Sequence, residues 1–411
     1  MASMRRMASV TTPMRRMIAS RPLPRRGTEG RHGRATAPGG ATKTQRTTRY
    51  MWIFILFVLP MAGLAYTLWH IWCLLPFGGI GRGAVVAACA LAFGAIPLNF
   101  SRATDDLPMG LATACYEVGN SALFILLYVT MAFLLLDLGR AFHVVPRQWL
   151  HANGTSAATL SLAVAALFTY GYINYRHKVR QPLELTTAKD IGREMRVVMV
   201  SDLHLGYHNR RHELARWVDL INAERADLVL MAGDIIDGSL RPVEADSMAA
   251  ELRRLNAPVL ACPGNHEYIG GVEQAAQFLT DAGITLLRDS VATVGGLCVI
   301  GRDDRSNPAR RSVAELVRQA DKARYTIVMD HQPYHLERTE RAGADFQLSG
   351  HTHHGQLWPI SWITDAVYEC SHGPWQRGQT RYYVSSGMGI WGGKFRIGTR
   401  SEYIVATIRH K

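Results

Sequence analysis

Four apolar stretches dominate the first 175 residues, after which the chain changes rhythm. Residues 51–75, 84–100, 118–136 and 157–173 are almost free of charge. A helix rises about 1.5 Å per residue and roughly 20 residues cross the hydrocarbon of a bilayer, so each stretch approaches spanning length. Four such runs in succession suit a lipid-facing bundle better than the buried helices of a soluble one. A cleaved signal peptide has one modest apolar region before a small-residue cleavage site, which is not this pattern. From about Gln181 short β-branched runs alternate with amphipathic segments. That alternation predicts strands at 196–200, 228–232, 258–261, 325–329, 346–348, 382–384 and 403–408, with helices at 211–222, 245–255, 272–281 and 312–320. The early strand-helix-strand order predicts parallel pairing, and the later close succession of strands predicts a second sheet packed on the first. The expected organisation is a basic tail at 1–50, an all-α transmembrane module of four helices at 51–173, a linker at 174–195 and an α/β domain at 196–411.

Composition agrees with two or more units, since 411 residues exceed what one core usually holds, and 48% hydrophobic against 19% charged content leans toward a membrane protein. The net charge of +13 changes meaning once it is mapped. Residues 1–50 carry 12 of the Lys and Arg residues and a single acidic one, so the rest of the chain is close to neutral. A segment of that composition cannot bury enough apolar surface to fold alone and reads as disordered, either a solvated leader or a strip that meets anionic lipid. Arg102, Arg176, Lys178 and Arg180 fall on the same side as the tail if the crossings are even in number, against Arg82, Arg140 and Arg147 on the other. The positive-inside rule then predicts a multi-pass protein of the inner (plasma) membrane with both ends in the cytoplasm. Arg25-Arg26 lies too far before the first apolar run to read as an export signal. Six cysteines show no paired spacing, so no disulfide framework is implied.

The chemistry-bearing residues sit where predicted strands end. Asp202-Leu203-His204, Gly233-Asp234, Gly264-Asn265-His266, His331 and Gly350-His351-Thr352-His353 each follow an apolar run. Loops at the carboxyl edge of strands are where α/β folds place their sites. Carboxylate, imidazole and amide oxygen without a thiolate cluster favour a hard or borderline divalent ion, and manganese, iron and catalytic zinc all fit. Asp202, His204, Asp234, Asn265, His331, His351 and His353 exceed the needs of one ion with a free position. Two ions sharing a carboxylate are expected, the arrangement that clamps the attacking and leaving oxygens of an in-line phosphoryl displacement. Hydrolysis of a phosphate ester is the reaction implied.

Together with Glu267, these motifs resemble those of the calcineurin-like metallophosphoesterase family, over about residues 195–408. The fuller wording Ser201-Asp202-Leu203-His204-Leu205-Gly206, Asp330-His331-Gln332-Pro333 and Gly350-His351-Thr352-His353-His354-Gly355-Gln356 is similar to a membrane-associated bacterial branch of it. The resemblance implies a double-sheet sandwich flanked by helices. It also implies one ion on Asp202, His204 and His353, a second on Asn265, His331 and His351, Asp234 as the bridge, and a metal-bridging hydroxide as nucleophile. His266 is then expected to protonate the leaving oxygen or to stabilise charge on the phosphoryl group, work that an imidazole suits because it titrates near neutrality. Asp237 is expected to steady a ligand or a turn without ligating. His335, His354 and His372 are expected outside the site, and His354 stands where the family wording has a glycine.

The predicted function is a membrane-anchored dinuclear-metal phosphohydrolase acting on phosphodiester or pyrophosphate bonds, with a lipid-linked or membrane-proximal substrate and membrane lipid as its surroundings. Trp358, Trp362 and Tyr368 just past the last ligands read either as a lip that meets the headgroups or as core. Two other classes compete. In one, the spans transport or sense and the metal domain regulates them, with Asp137 as the intramembrane handle. In the other, the basic tail recruits nucleic acid to a nuclease, although four spans separate the two.

Overall fold

The computed structural model describes residues 58–99 and 101–411, so the basic tail at 1–50 and the 51–57 part of the first apolar run lie outside the described residues. Helix α1 (Leu59–Leu74) is followed by α2 (Gly79–Asn99), α3 (Met109–Ala141) and α4 (Gly154–Arg176). The last three are long and apolar enough to cross a membrane. Each extends beyond its expected range, α3 most of all. At 33 residues it is about 50 Å long, against roughly 30 Å of bilayer hydrocarbon. Its buried residues Ala112, Tyr116, Asn120, Phe124 and Tyr128 recur every four residues. That spacing puts them on one face. Tyr116 packs with Tyr207 of the α/β domain, while Phe124 and Tyr128 pack with Phe168, Leu357 and Ile397.

Two six-stranded sheets follow. The first runs in the order β1 (Lys178–Thr187), β12 (Ser401–His410), β2 (Met195–Val200), β3 (Leu228–Ala232), β4 (Val259–Cys262), β5 (Thr285–Leu286). The second runs β10 (Gly373–Arg377), β11 (Thr380–Val384), β9 (Phe346–Ser349), β8 (Tyr325–Met329), β7 (Leu297–Gly301), β6 (Ser290–Val294). Strands covered on both faces can be apolar throughout, which is why β2, β3, β7 and β8 carry no alternation. Their two-residue period still sorts the side chains. Val197 and Met199 join Leu230, Val299, Ile327 and Leu348 between the sheets, whereas Val198 and Val200 meet Leu214, Trp217 and Ile221 of α5 (Arg211–Ala223). Each such side chain fully buried contributes roughly 1.5–3 kcal/mol. Because β2, β3 and β4 are mutually parallel, as are β7, β8 and β9, the carboxyl ends of each group open onto one rim.

The expected linker at 174–195 is not a linker. Helix α4 runs to Arg176 and β1 begins at Lys178, pairing in parallel with β12 from Lys178↔Ser401 to Thr187↔His410. Leu183, Leu185 and Thr187 are buried in alternation with exposed neighbours, and Pro182 is tolerated because β1 is an edge strand. The helix expected at 245–255 is split into Arg241–Ala245 and Met248–Leu252, since Ser247 adopts a left-handed φ of 52° that an α-helix cannot contain. Strands β5, β6, β7 and β10 were not among the predicted elements.

Candidate metal centre

Each chemistry-bearing loop leaves the rim directly after its strand: Asp202 after β2, Asp234 after β3, Asn265 after β4, His331 after β8 and His351 after β9. Two clusters result. Asp202, His204 and His353 present one ligand atom apiece, all within 4.8 Å of one another, and Asp234, His331 and His351 do the same. Asp234 Oδ2 faces both, at 3.0 Å from His331 Nε2 and 3.7 Å from His204 Nε2. Asn265 opens helix α6 (Asn265–Gly270), between Gly264, which presses on Asp234, and His266, whose amide donates to Asp234 Oδ1 at 2.9 Å. A Cβ on Gly264 would lie 2.2 Å from that same oxygen, and one on Gly350 would lie 2.3 Å from Asp202 Oδ2. Neither turn has room for a side chain.

The donor atoms suit divalent cations. His204 Nδ1 pairs with Asp237 Oδ1 at 2.8 Å and His331 Nδ1 donates to the Ala232 carbonyl at 2.7 Å. With Nδ1 occupied in this way, the lone pair of each ring is at Nε2, aimed inward. His204 Nε2 and His353 Nε2 stand 3.1 Å apart, and His331 Nε2 and the Asn265 Oδ1 oxygen are buried without a hydrogen-bond partner. His331 Nε2 is close to Asp234 but lacks hydrogen-bond geometry toward it. Buried, inward-facing acceptors without a protein partner are unfavourable until a cation joins them. The charge balance points the same way. Burial opposes a positive His331, yet Asp234, Asp202 and Asp304 raise it well above its ordinary value. Burial likewise opposes the Asp234 carboxylate, and His331, His266 and His204 nonetheless hold it well below the usual range. His351, half-buried and beside His331, is pushed down to about 4 by desolvation and by the neighbouring His331 charge.

Two further groups complete the arrangement. His266 Nδ1 donates to the Asp237 carbonyl at 2.6 Å, leaving Nε2 available, and its ring centroid is 4.6 Å from that of His204. Asp237, His204 and His266 themselves form a third cluster of close donor atoms. Buried Glu267 accepts from the amides of Asp234, Ile235, Ile236 and Gly264 at 2.7–3.0 Å, tying the loops after β3 and β4 together.

The sequence pattern of calcineurin-like phosphoesterases matches residues 195–355, which hold all of these loops. An uncharacterized metallophosphoesterase of Aquifex aeolicus is 30% identical over 230 residues, covering 54% of this chain and 87% of its own. The chain belongs to the calcineurin-like phosphoesterase family. It is therefore a metal-dependent hydrolase of phosphate esters. An uncharacterized metallophosphoesterase of Helicobacter pylori is 26% identical over 306 residues, 71% of this chain and 80% of its own. A Danio rerio protein described as a transmembrane protein with a metallophosphoesterase domain is 30% identical over 278 residues, 61% of this chain and 62% of its own. Calcineurin-like phosphoesterases use divalent ions, and these clusters are the candidate ligands for them among the described residues.

Around this phosphoesterase site the surplus histidines are engaged elsewhere. His354 and His372 stack with ring centroids 4.7 Å apart, His372 Nε2 lies 3.1 Å from Glu402 Oε1, and His335 is an exposed residue before a short helix. His354 takes a φ of 50°, the left-handed region that explains a glycine in the family wording. Two residues were missed. Fully buried Arg396 donates to the His353 carbonyl at 2.7 Å and to the carbonyls of Ser386 and Gly389, while burial pushes its pKa down to about 10. Tyr116, on α3, donates its hydroxyl to Asp237 Oδ2. Neither lies in a motif, and a tyrosine in an apolar run reads as packing.

Proposed function

We propose that this phosphoesterase is a membrane-anchored, dinuclear enzyme that cleaves phosphodiester or pyrophosphate bonds of a lipid-linked or membrane-proximal substrate. The position of Asp234 Oδ2 between the two histidine clusters carries the reading. Asp202, His204 and His353 would hold one ion, Asn265, His331 and His351 the other, and Asp234 both; manganese, iron or zinc suits these donors. When bound, such ions supply Lewis acidity at phosphorus and an activated water. The protein does the rest. Water oxygen bonds to phosphorus, the bond to the leaving oxygen breaks, and His266 gives its Nε2 proton to that oxygen, regaining one from the water consumed. Asp237 keeps His204 and His266 in register by accepting from both.

Membrane anchoring draws support from helices α2 to α4 and from helix α7 (Ile360–Val367) beside the last candidate ligands. Trp362, Ile363 and Val367 are 64%, 61% and 60% exposed, which core packing does not explain. The Tyr128 hydroxyl of α3 donates to the Trp358 carbonyl, so this apolar lip adjoins the bundle. Tryptophan favours the headgroup level. With α1 as the first of four spans, the basic residues Arg176, Lys178 and Arg180 favour a cytoplasmic domain at the inner membrane. The transport or sensor reading has less support, because Asp137 accepts from Tyr66 at 2.7 Å and lies 3.0 Å from His70 Nε2, the marks of a clasp between helices.

A metal-reconstituted screen of the full chain in detergent against diester, monoester and lipid-pyrophosphate substrates tests the reading. Diester or pyrophosphate turnover that disappears in Asp234→Asn is expected. Turnover confined to monoesters would overturn the bond assignment, and turnover retained in Asp234→Asn would overturn the metal assignment. Replacing Trp358 and Trp362 with alanine should slow hydrolysis of vesicle-borne substrate relative to a soluble diester, and an equal rate ratio would remove the lip.

A further inference from the structure

Beside His266 a cavity of about 760 Å³ opens between the α/β domain and the apolar helices. Its domain side includes Asp237, Arg241 and Gln274, and its other side is Asn99 of α2 with Tyr116 and Asn120 of α3. The junction is fastened, so the space is part of the fold. Besides the Tyr116 bond to Asp237, the Tyr207 and Ser239 hydroxyls donate to Asp105 Oδ1 at 2.6 and 2.8 Å, and Arg241 donates to the carbonyls of Thr104 and Leu107 at 3.3 and 2.7 Å.

Two amides break the pattern of an otherwise satisfied wall. Asn120 is only 2% exposed and its Nδ2 has no partner, and on half-buried Asn99 the inward Oδ1 atom is also unpartnered. Buried polar groups are nearly always paired, so one unpaired donor and one unpaired acceptor on the same cavity call for an occupant that can both accept and donate. A hydroxyl does both. Arg241, the basic residue of this lining, is already committed to backbone carbonyls and Tyr207, while Glu244 adds negative charge, so a second phosphate has little to hold it here. His266 lines the same space, and the proton it is placed to give goes to the departing oxygen.

We propose that this cavity binds the leaving group of the substrate, an uncharged hydroxyl-rich alcohol of the sugar or polyol class, with Asn120 and Asn99 as specificity residues contributed by the apolar helices. The inference rests on the phosphohydrolase reading and narrows the bond to a phosphodiester. Hydrolysis then releases the polyol, protonated by His266, and leaves a phosphate monoester at the ligand clusters.

The test uses the full chain in detergent with manganese and compares glycerophosphoinositol with bis(p-nitrophenyl) phosphate, a diester whose leaving group has no further hydroxyls. The readout is the ratio of the two kcat/KM values. Asn120→Ala should lower that ratio about 5- to 10-fold, the size expected for one lost hydrogen bond to substrate. Gln274→Ala, exposed at the cavity mouth, should lower it about 2- to 3-fold and serves if the helix variant does not fold. An unchanged ratio in both variants overturns the proposal, as does a wild type that cleaves bis(p-nitrophenyl) phosphate but not the polyol diester, which leaves the phosphoesterase reading intact. A metal-loaded wild type that cleaves neither diester overturns both.

Discussion

The two walls that meet at His266 are built by opposite means. On the domain side, Asp202, His204, Asp234, His351 and His353 all hold left-handed backbone, with φ of 53°, 46°, 51°, 72° and 49°. Such conformations cost of order 1–3 kcal/mol each and persist only where the surroundings over-determine them. Here they do: Glu267 takes four amides, Arg396 three carbonyls, and the amides of Asp202 and His204 bond to Gly233 and Asp234. On the helix side, Tyr116 and Asn120 occupy regular α-helix, and a single hydroxyl joins α3 to Asp237. Groups that set the reaction are fixed many times over, whereas groups on the opposite wall are held once or left open. The first can tolerate little change, and the second can vary without disturbing the chemistry.

That contrast orders the expected effects. Asp234→Asn should be the most damaging, since it removes charge from both clusters at once; elemental analysis should find less than one ion per chain and turnover should fall to background, as after chelation of the wild type. His266→Ala should retain metal while kcat drops roughly 10²- to 10⁴-fold, and full metal content with full turnover would move the acid role elsewhere. Asp237→Ala should weaken metal affinity or activity about 10- to 100-fold by freeing the His204 ring, measurable by titration with manganese. Tyr116→Phe should be mildest, a loss of about 1 kcal/mol seen as a few-fold weaker metal affinity. A Tyr116→Phe effect as large as that of Asp237→Ala would erase the distinction between the walls.

How much of this was legible follows the same division. The candidate ligand loops announce themselves because each polar fragment ends an apolar strand, and β3, β8 and the helix at Val272–Asp281 fall where periodicity puts them. Edge and antiparallel strands were harder. In β1 the Leu183-Glu184-Leu185 alternation is short, starts among charged residues and contains a proline, so it read as connection; β6 and β10 are only half-buried and carry little apolar signal. Strand β7 is fully apolar yet follows β6 after a two-residue turn at Gly295-Gly296, and neither is among the predicted elements. Of the site, Asp237 was legible through its distance from Asp234. Tyr116, Asn120 and Arg396 were not, because their roles depend on which helix face meets which loop, and that is decided by tertiary packing alone.

The seam between α4 and β1, where only His177 separates helix from strand, has a mechanical meaning. Asn174 near the end of α4 also ties to the carbonyls of Arg396 and Thr399, so the chain crosses the boundary as a stiff rod with a side strut instead of a swivel. In a bilayer, such a mounting would hold the catalytic rim at one height and one tilt. A reaction partner would have to come up to that fixed mouth, because among the described residues no slack segment joins α4 to the domain.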